Sequence, residues 1–356
     1  MRYIGNKENI ISKIYSIMQE NNINGNRFCD FFSGTTNVAR FFKKLNYQVS
    51  CCDLLYLSYC LQKAYIENNE EPLFSNLIAK IKSTTTPSLF EISALEQVVN
   101  YLNEINPIKG FIYHNYTPDG TKDLPKPRMY FSSENGMKID AIRSQIELWY
   151  ENNDISEMEY YILIACLIET VPYYANIAGV YAAFQKKWDP RAIKPLILRP
   201  IKIIKSDKCN TASNCDSISL CKTLDTDILY IDPPYNQRQY APNYHLLETI
   251  AKYDNPIIHG VSGMRDYSNQ KSSFCSAQTA LKDLSYIAAT AKYKYLILSY
   301  NSEGIMSQNE IISTLSKYGD VKLEQFEYAR YKSNSNGLSN KIRIVYEQLY
   351  ILKHNG

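Results

Sequence analysis

The fold is decided by residues 27–53, which read RFCDFFSGTTNVARFFKKLNYQVSCCD. The first six residues of this stretch predict a short apolar strand, and the next four, SGTT, predict a turn. An amphipathic helix is predicted after the turn by the spacing of four apolar residues, Val38, Phe41, Phe42 and Leu45. A second strand, residues 47–52, ends at Asp53. A strand, a helix and a strand within about thirty residues predict a parallel βαβ unit whose strands are buried on both faces.

Further strands are predicted downstream of this unit. Residues 227–231 and 295–299 are apolar runs of the kind expected for buried parallel strands. Near the carboxyl end, residues 321–328 and 342–352 predict two antiparallel strands joined by a polar loop, 332–340. The predicted fold class is therefore α/β, with a Rossmann-like, mostly parallel sheet.

The alternation of strands and helices stops between Glu71 and Arg199. This stretch contains a loop with three prolines, residues 115–128, and one clear helical stripe formed by Ile139, Ile142, Ile146 and Trp149. An interruption of about 130 residues is far too long for a connecting loop. The sequence therefore predicts one domain built from residues 1–70 and 200–356, interrupted by a largely helical inserted region, residues 71–199.

Composition excludes several classes of protein. The chain has 356 residues, of which 45% are hydrophobic and 21% charged, so it is not expected to be disordered. No stretch approaches the ~20 consecutive apolar residues of a membrane helix. The polar opening MRYIGNK lacks the apolar core of a signal peptide, which predicts a cytoplasmic protein. The nine cysteines include no C-x-x-C pair and the four histidines are scattered, so no metal site is expected.

The turn after the first strand carries a possible nucleoside site. Gly34 would let a ligand approach the backbone closely, and Asp53, 19 residues later, could accept hydrogen bonds from a ribose diol. Because the stretch has one glycine rather than the G-x-G-x-x-G of dinucleotide sites, it favours a nucleoside such as S-adenosylmethionine over NAD. The alternative is an ordinary turn followed by a solvated aspartate.

A second motif, Asp232-Pro233-Pro234-Tyr235, directly follows the apolar strand 227–231. The two prolines stiffen the backbone and fix the direction of its carbonyl groups. The Asp232 carboxylate and the Pro233 carbonyl could accept the hydrogens of a planar amine while Tyr235 stacks on the attached base. The alternative is a strand end with a turn and a structural tyrosine.

These motifs together resemble the N6-adenine DNA methyltransferases. The opening YIGNK (3–7), before the Phe-x-Gly turn, is similar to the start of the D-twelve (Dam-like) class. Within that class the chain resembles the methyltransferases of FokI-type restriction–modification systems, in the segments DPPYNQRQY (232–240), NYH (243–245), 130–149 and 175–191. The likeness covers most of the chain, with the cofactor motif before the catalytic one.

The resemblance implies a role for particular residues. The implied cofactor-binding residues are Tyr3, Lys7, Asp30, Phe32, Gly34, Asp53 and Asp216. Among them Lys7 would lie near the methionine carboxylate, Asp53 at the ribose and Asp216 near the cofactor adenine. The catalytic residues would be Asp232, Pro233, Pro234 and Tyr235. Thr36 stands where the family usually has a second glycine, which suits the turn if only Gly34 needs a positive φ.

The implied activity is site-specific methylation of adenine N6 in double-stranded DNA, with S-adenosylmethionine as cofactor. Residues 236–245 would form a loop over the flipped adenine, with Arg238, Tyr240 and Tyr244 as substrate contacts. The inserted region would read the sequence, with Lys122 on phosphate and Arg128 on a base. The chain is expected to act as a monomer, beside a separate restriction endonuclease.

Two other functions are compatible with the motifs. The first is methylation of an exocyclic amine of adenine or guanine in RNA, because Asp-Pro-Pro-Tyr suits any planar amine. The second is a nucleotide-binding or DNA-binding module without catalytic activity. The intact residues 232–235 disfavour this second function.

Overall fold

A computed structural model describes residues 5–81, 92–329 and 344–354. Tyr3 and the predicted loop 332–340 lie outside the described residues. The strands are β1 Arg27–Phe31, β2 Gln48–Asp53, β3 Thr211–Asn214, β4 Ile228–Ile231, β5 Ile258–His259, β6 Met264–Arg265, β7 Tyr295–Asn301, β8 Gly319–Ala329 and β9 Ile344–His354.

The helices are α1 Ile11–Glu20, α2 Asn37–Lys44, α3 Tyr56–Gln62, α4 Ser75–Ile81, α5 Ala94–Glu104, α6 Phe111–Tyr116, α7 Ser133–Glu151, α8 Glu157–Thr170, α9 Ser217–Leu220, α10 Ala241–Lys252, α11 Ala280–Thr290 and α12 Gln308–Leu315. A π-helical segment, Lys63–Glu67, continues α3. No helix among the described residues is both long and apolar enough to cross a lipid bilayer.

The main sheet has the strand order β3-β2-β1-β4-β7-β9-β8. Its first five strands are parallel, and β9 and β8 are antiparallel to their neighbours. This confirms the predicted α/β fold with a mostly parallel sheet and two antiparallel strands at the carboxyl end. Strand β4 is a continuous apolar run, and four of the five residues of β1 are buried, as expected for central strands of a sheet that is covered on both faces.

The strand order reverses between β1 and β4. From β1 the chain adds β2 and β3 on one side, whereas β4 and β7 lie on the other side. Phe31, the last residue of β1, is in register with Cys52 in β2 and with Ile231 in β4. The residues that follow these strands therefore meet at one edge of the sheet. In open α/β sheets, ligands bind in the crevice at such a reversal.

The chain divides into two compact units. The sheet unit comprises Ile4–Gln62, Ser206–Ala241 and Ser268–Gly356, and the helical unit comprises Lys63–Lys205 and Pro242–Tyr267. The second segment of the helical unit differs from the sequence-based division, which placed all of 200–356 in one domain.

The cause of this difference is a return of the chain to the helical unit after the Asp-Pro-Pro-Tyr motif. Within that unit the buried guanidinium of Arg143, on α7, donates hydrogen bonds to the carbonyl oxygens of Ile250 and Ala251 at the end of α10. The short hairpin of β5 and β6 follows α10. No change of composition marks this return, so the linear sequence gave no sign of it.

The core of the helical unit includes α7 and α8. The predicted stripe on α7 is confirmed, because all four of its residues, Ile139, Ile142, Ile146 and Trp149, are buried. Helix α8 is apolar on every side, and residues 160–168 are all buried. A helix without a polar face is expected at the centre of a helical domain.

Candidate active site

The turn between β1 and α2 is tighter than predicted. Phe32, Gly34 and Thr36 all have a positive φ, at 63°, 50° and 62°. The expectation that only Gly34 needs this conformation is therefore wrong. A left-handed conformation costs a β-branched residue roughly 1–2 kcal/mol, and Thr36 adopts it where the family usually has glycine. The turn is closed by a hydrogen bond of 2.7 Å from the Thr36 N–H to the Ser33 carbonyl oxygen.

Asp53 connects this turn to the end of β2. Its Oδ2 accepts a hydrogen bond of 2.9 Å from the Gly34 N–H, and its Oδ1 accepts one of 2.9 Å from the Leu55 N–H. Each carboxylate oxygen has two lone pairs, so the same oxygens could also accept hydroxyl donors of a ribose. The structure brings Gly34 and Asp53 into contact, as a nucleoside site requires.

Asp30 and Phe32 flank the turn in different ways. The Asp30 carboxyl is buried, and its Oδ2 accepts a hydrogen bond of 3.2 Å from the Ala39 N–H in the first turn of α2. Burial, with a further contribution from the nearby Asp232 carboxylate, raises the pKa of Asp30 well above its usual range. Asp30 therefore holds the start of α2 in place. The Phe32 ring makes an edge contact with the Phe274 ring, with centroids 5.1 Å apart.

Asp216 lies just past the end of β3. It caps α9, because its Oδ1 accepts a hydrogen bond of 3.1 Å from the Ile218 N–H. Strand β3 pairs with β2 so that Asn214 is opposite Asp53. Asp216 therefore lies at the same edge of the sheet as Asp53, two residues after the end of the neighbouring strand.

Asp232 is the first residue after β4 and belongs to a buried charge cluster. The Lys7 ammonium lies 3.3 Å from Asp232 Oδ1 and 2.5 Å from Glu347 Oε1. The side chains of Lys7, Asp232 and Glu347 are 9%, 20% and 3% exposed, so water screens these charges poorly. We call these three residues the Asp232 cluster.

The cluster shifts the pKa values of Asp232 and Lys7. Burial has the largest effect on the pKa of Asp232 and raises it; Lys7 lowers that pKa, Glu347 raises it, and the result is about 7. Burial lowers the pKa of Lys7, but the carboxylates of Asp232 and Glu347 together raise it by more. The pKa of Lys7 therefore lies above its ordinary value, and the lysine is charged.

The position of Lys7 differs from the role implied by the resemblance. Lys7 was expected near the carboxylate of a bound cofactor, whereas its ammonium lies between two carboxylates of the protein. Sequence reasoning also missed Glu347. A signal for it existed, because Glu347 alternates with Leu349 and Ile351 in the predicted strand 342–352 and so lies on the same face as these apolar residues.

The rest of the Asp-Pro-Pro-Tyr motif is packed within the sheet unit. Pro233 and Pro234 are buried, and the Tyr235 ring is partly buried against the hydrophobic core. The Tyr235 carbonyl oxygen accepts a hydrogen bond of 3.0 Å from the Ile305 N–H. This contact fixes the backbone that follows the two prolines.

The predicted substrate contacts after Tyr235 fall into two groups. Arg238 is exposed, and the half-buried Tyr240 places its hydroxyl beside Gly5, 3.1 Å from where a Cβ on that glycine would lie. Tyr244, by contrast, is fully buried within the helical unit. Tyr244 is therefore unavailable to a substrate, and its assignment as a substrate contact is withdrawn.

The two predicted DNA contacts in the inserted region differ in exposure. Lys122 is exposed, but Arg128 is only 7% exposed. Its guanidinium donates three hydrogen bonds of 3.0 Å, to the carbonyl oxygens of Asn115, Gly260 and Val261. These donors stabilise the hairpin of β5 and β6, so Arg128 does not present them to a base. We do not retain Arg128 as a base-reading residue.

Comparison with known proteins identifies the family. A model of the D12 class N6 adenine-specific DNA methyltransferases matches residues 3–314. The chain belongs to this family, and the resemblance found in the sequence is confirmed.

Three relatives show how far the similarity extends. The type II methyltransferase M.FokI of Planomicrobium okeanokoites is 41% identical over 340 residues, covering 94% of this chain and 50% of the relative. Modification methylase StsI of Streptococcus sanguinis is 35% identical over 357 residues, covering 99% of this chain and 52% of the relative. The type II methyltransferase M.NlaIII of Neisseria lactamica is 35% identical over 357 residues, covering 99% of each chain. The chain thus spans about half the length of the first two relatives.

Proposed function

We propose that this chain is a site-specific DNA adenine N6-methyltransferase that uses S-adenosylmethionine. The observation that carries the proposal is the placement of Asp232-Pro233-Pro234-Tyr235 after β4, beside the turn that Asp53 holds after β1. Both lie at the edge of the sheet where the strand order reverses. A methyl donor and a planar amine could therefore bind next to each other.

The residues at this edge suit S-adenosylmethionine. Gly34 and its neighbours form a tight turn at which a ligand can approach the backbone, and Asp53 offers carboxylate oxygens to the ribose hydroxyls. Asp216, at the end of the adjacent strand, would contact the adenine. The cofactor would supply the methyl group as a sulfonium, which is activated for transfer.

The chain's own residues would then activate the target amine. The lone pair of adenine N6 is delocalised into the ring, so the amine is a poor nucleophile. Hydrogen bonds from its two protons to the Asp232 carboxylate and the Pro233 carbonyl would localise that lone pair toward the methyl group. The methyl group would pass from the cofactor's sulfur to N6, and the electron pair of the broken C–S bond would remain on sulfur. Asp232 would take the surplus amine proton and release it to water.

Tyr235 would hold the target base. Adenine N6 is paired inside a duplex, so the base must rotate out of the helix before reaction. An aromatic ring beside the catalytic carboxylate would stack on the flipped base, and Arg238 and Tyr240 follow it in the chain. Binding both reactants in line removes much of the entropic part of the barrier.

The RNA alternative is not supported, because the matching family is one of DNA methyltransferases and the relatives are named as type II or modification methyltransferases. A direct test is transfer of tritiated methyl groups to duplex DNA and, in parallel, to ribosomal RNA. We expect label in adenine of the DNA and none in the RNA. Label confined to RNA would contradict the proposal.

We further propose that the helical unit reads the DNA sequence and that its exposed lysines contact phosphates. Lys122, Lys126, Lys186 and Lys187 are all exposed. A restriction endonuclease would act separately, as the type II relatives suggest. We expect the protein to be a monomer in the cytoplasm. Tyr3 remains an expected cofactor contact on the resemblance alone.

Lys122 and Arg128 should behave differently when changed. Lys122→Ala is expected to weaken binding to all DNA sequences alike. It should also reduce, by about one, the magnitude of the slope of the logarithm of the binding constant against the logarithm of the salt concentration. Arg128→Met should instead lower the free energy of unfolding by about 2 kcal/mol, because three charge-assisted hydrogen bonds are lost. DNA binding measured at several salt concentrations tests the Lys122→Ala prediction, and thermal unfolding tests the Arg128→Met prediction. Relaxed base preference in a stably folded Arg128→Met protein would restore Arg128 as a base reader.

A further inference from the structure

Glu347 is a buried carboxylate at a position that alternates with the buried apolar residues Leu349 and Ile351. It lies on β9, opposite Asn301 in β7, and belongs to the sheet unit. Its Oε1 accepts hydrogen bonds of 2.5 Å from the Lys7 ammonium and 2.5 Å from the Ser299 hydroxyl. An ionised carboxylate that is almost fully buried costs several kcal/mol unless it is paired. The burial of a carboxylate at position 347 is therefore not explained by packing alone.

The distances within the Asp232 cluster suggest what Glu347 does. The Lys7 ammonium is 0.8 Å closer to Glu347 than to Asp232, at 2.5 Å against 3.3 Å. One lysine charge is thus shared between two carboxylates and lies nearer the one that does not belong to the catalytic motif. Ser299, fully buried on β7, holds Glu347 in this position.

We propose that Glu347 is a positioning residue that holds Lys7 at a distance from Asp232, so that the Asp232 carboxylate keeps its capacity to accept protons from the target amine. This inference rests on the proposed function. Without the negative charge of Glu347, the full charge of Lys7 would pair with Asp232. An acid so paired is a weaker hydrogen-bond acceptor and a weaker base.

Two further titratable groups lie near Asp232. The Asp30 carboxyl and the Tyr230 hydroxyl are buried close by, on β1 and β4. Burial raises the pKa of both groups well above their usual ranges, which favours their neutral forms. Among the described groups that influence the pKa of Asp232, Lys7 and Glu347 are thus the two whose charges oppose each other.

The test is the pH dependence of kcat/KM for unmethylated duplex DNA at saturating cofactor. In the wild type the acidic limb reports the ionisation of Asp232, because the carboxylate form is the active one. Glu347→Gln keeps an oxygen that can accept from Ser299 and removes the negative charge. We expect the limb to move to lower pH by about one unit or more and the plateau rate to fall. Lys7→Met should move the limb in the opposite direction, to higher pH.

Glu324→Gln is a matched control, because Glu324 lies on the neighbouring strand β8, paired with Lys322 and 31% exposed. It should leave the limb where it is. A limb that stays unmoved in a folded Glu347→Gln protein would overturn the inference while the methylation activity of the wild type upheld the proposed function. If Glu347→Gln fails to fold, Glu347→Asp decides, because its shorter side chain withdraws the carboxylate from Lys7: a limb at lower pH supports the inference, and an unchanged limb overturns it. Absence of methylation by the wild type would overturn both.

Discussion

Asp232→Ala is expected to lower the rate of methyl transfer by about 100-fold or more, because a group that stabilises the transition state is lost. Cofactor affinity should change far less, since the carboxylate acts on the target amine and Asp53 serves the ribose. The measurement is single-turnover transfer of labelled methyl groups to duplex DNA, with cofactor affinity determined separately by calorimetry.

The control is Asp207→Ala, an exposed aspartate of the same sheet unit that pairs with Lys208. Lys7 keeps Glu347 as a partner when Asp232 is removed, so the variant should fold. Retention of more than about a tenth of the wild-type rate, well short of the loss expected for a transition-state group, would contradict the catalytic role of Asp232.

The second large effect is expected from Asp53→Ala. A hydrogen bond to a charged group contributes roughly 1.5–3 kcal/mol, so the affinity for S-adenosylmethionine should fall by about 10–150-fold. The rate at saturating cofactor should change little. Calorimetric titration with the cofactor and a rate measurement at high cofactor concentration separate the two effects.

Asp53 also accepts the N–H groups of Gly34 and Leu55, so a control for stability is needed. Asp225→Ala removes an exposed aspartate of the same unit that pairs with Arg27. Thermal unfolding of both variants shows how much of the change reflects the turn itself. Unchanged cofactor binding in Asp53→Ala would mean that the carboxylate holds the turn and has no role at the ribose.

The fold could be predicted because its signals are local. The strand, turn, helix and strand of residues 27–53 form one contiguous pattern, and β4 is an apolar run that Asp232 directly follows. Strand β3 was missed because it is a short edge strand of four residues, TASN, none of them buried. Its residues show no alternation of apolar and polar side chains.

The site could be predicted only where its residues follow strand ends. Gly34, Asp53 and Asp232 meet because parallel strands bring their carboxyl ends together. The partnership of Lys7 with Glu347 joins residues 340 positions apart and is created by the return of β9 to the sheet. Burial, likewise, is not readable from a residue's type: Arg128 and Tyr244 look suited to bind DNA, but tertiary packing uses both inside the helical unit.

The most direct test of the central claim is the modification state of adenine in cellular DNA. Cells without other adenine methylation would express the wild-type chain or Asp232→Ala, and their DNA would be read by single-molecule sequencing. The account predicts N6-methyladenine at one recurring sequence in cells with the wild type and none in cells with the variant. Unmodified adenine throughout the DNA of wild-type-expressing cells, or equal modification with both proteins, would contradict it.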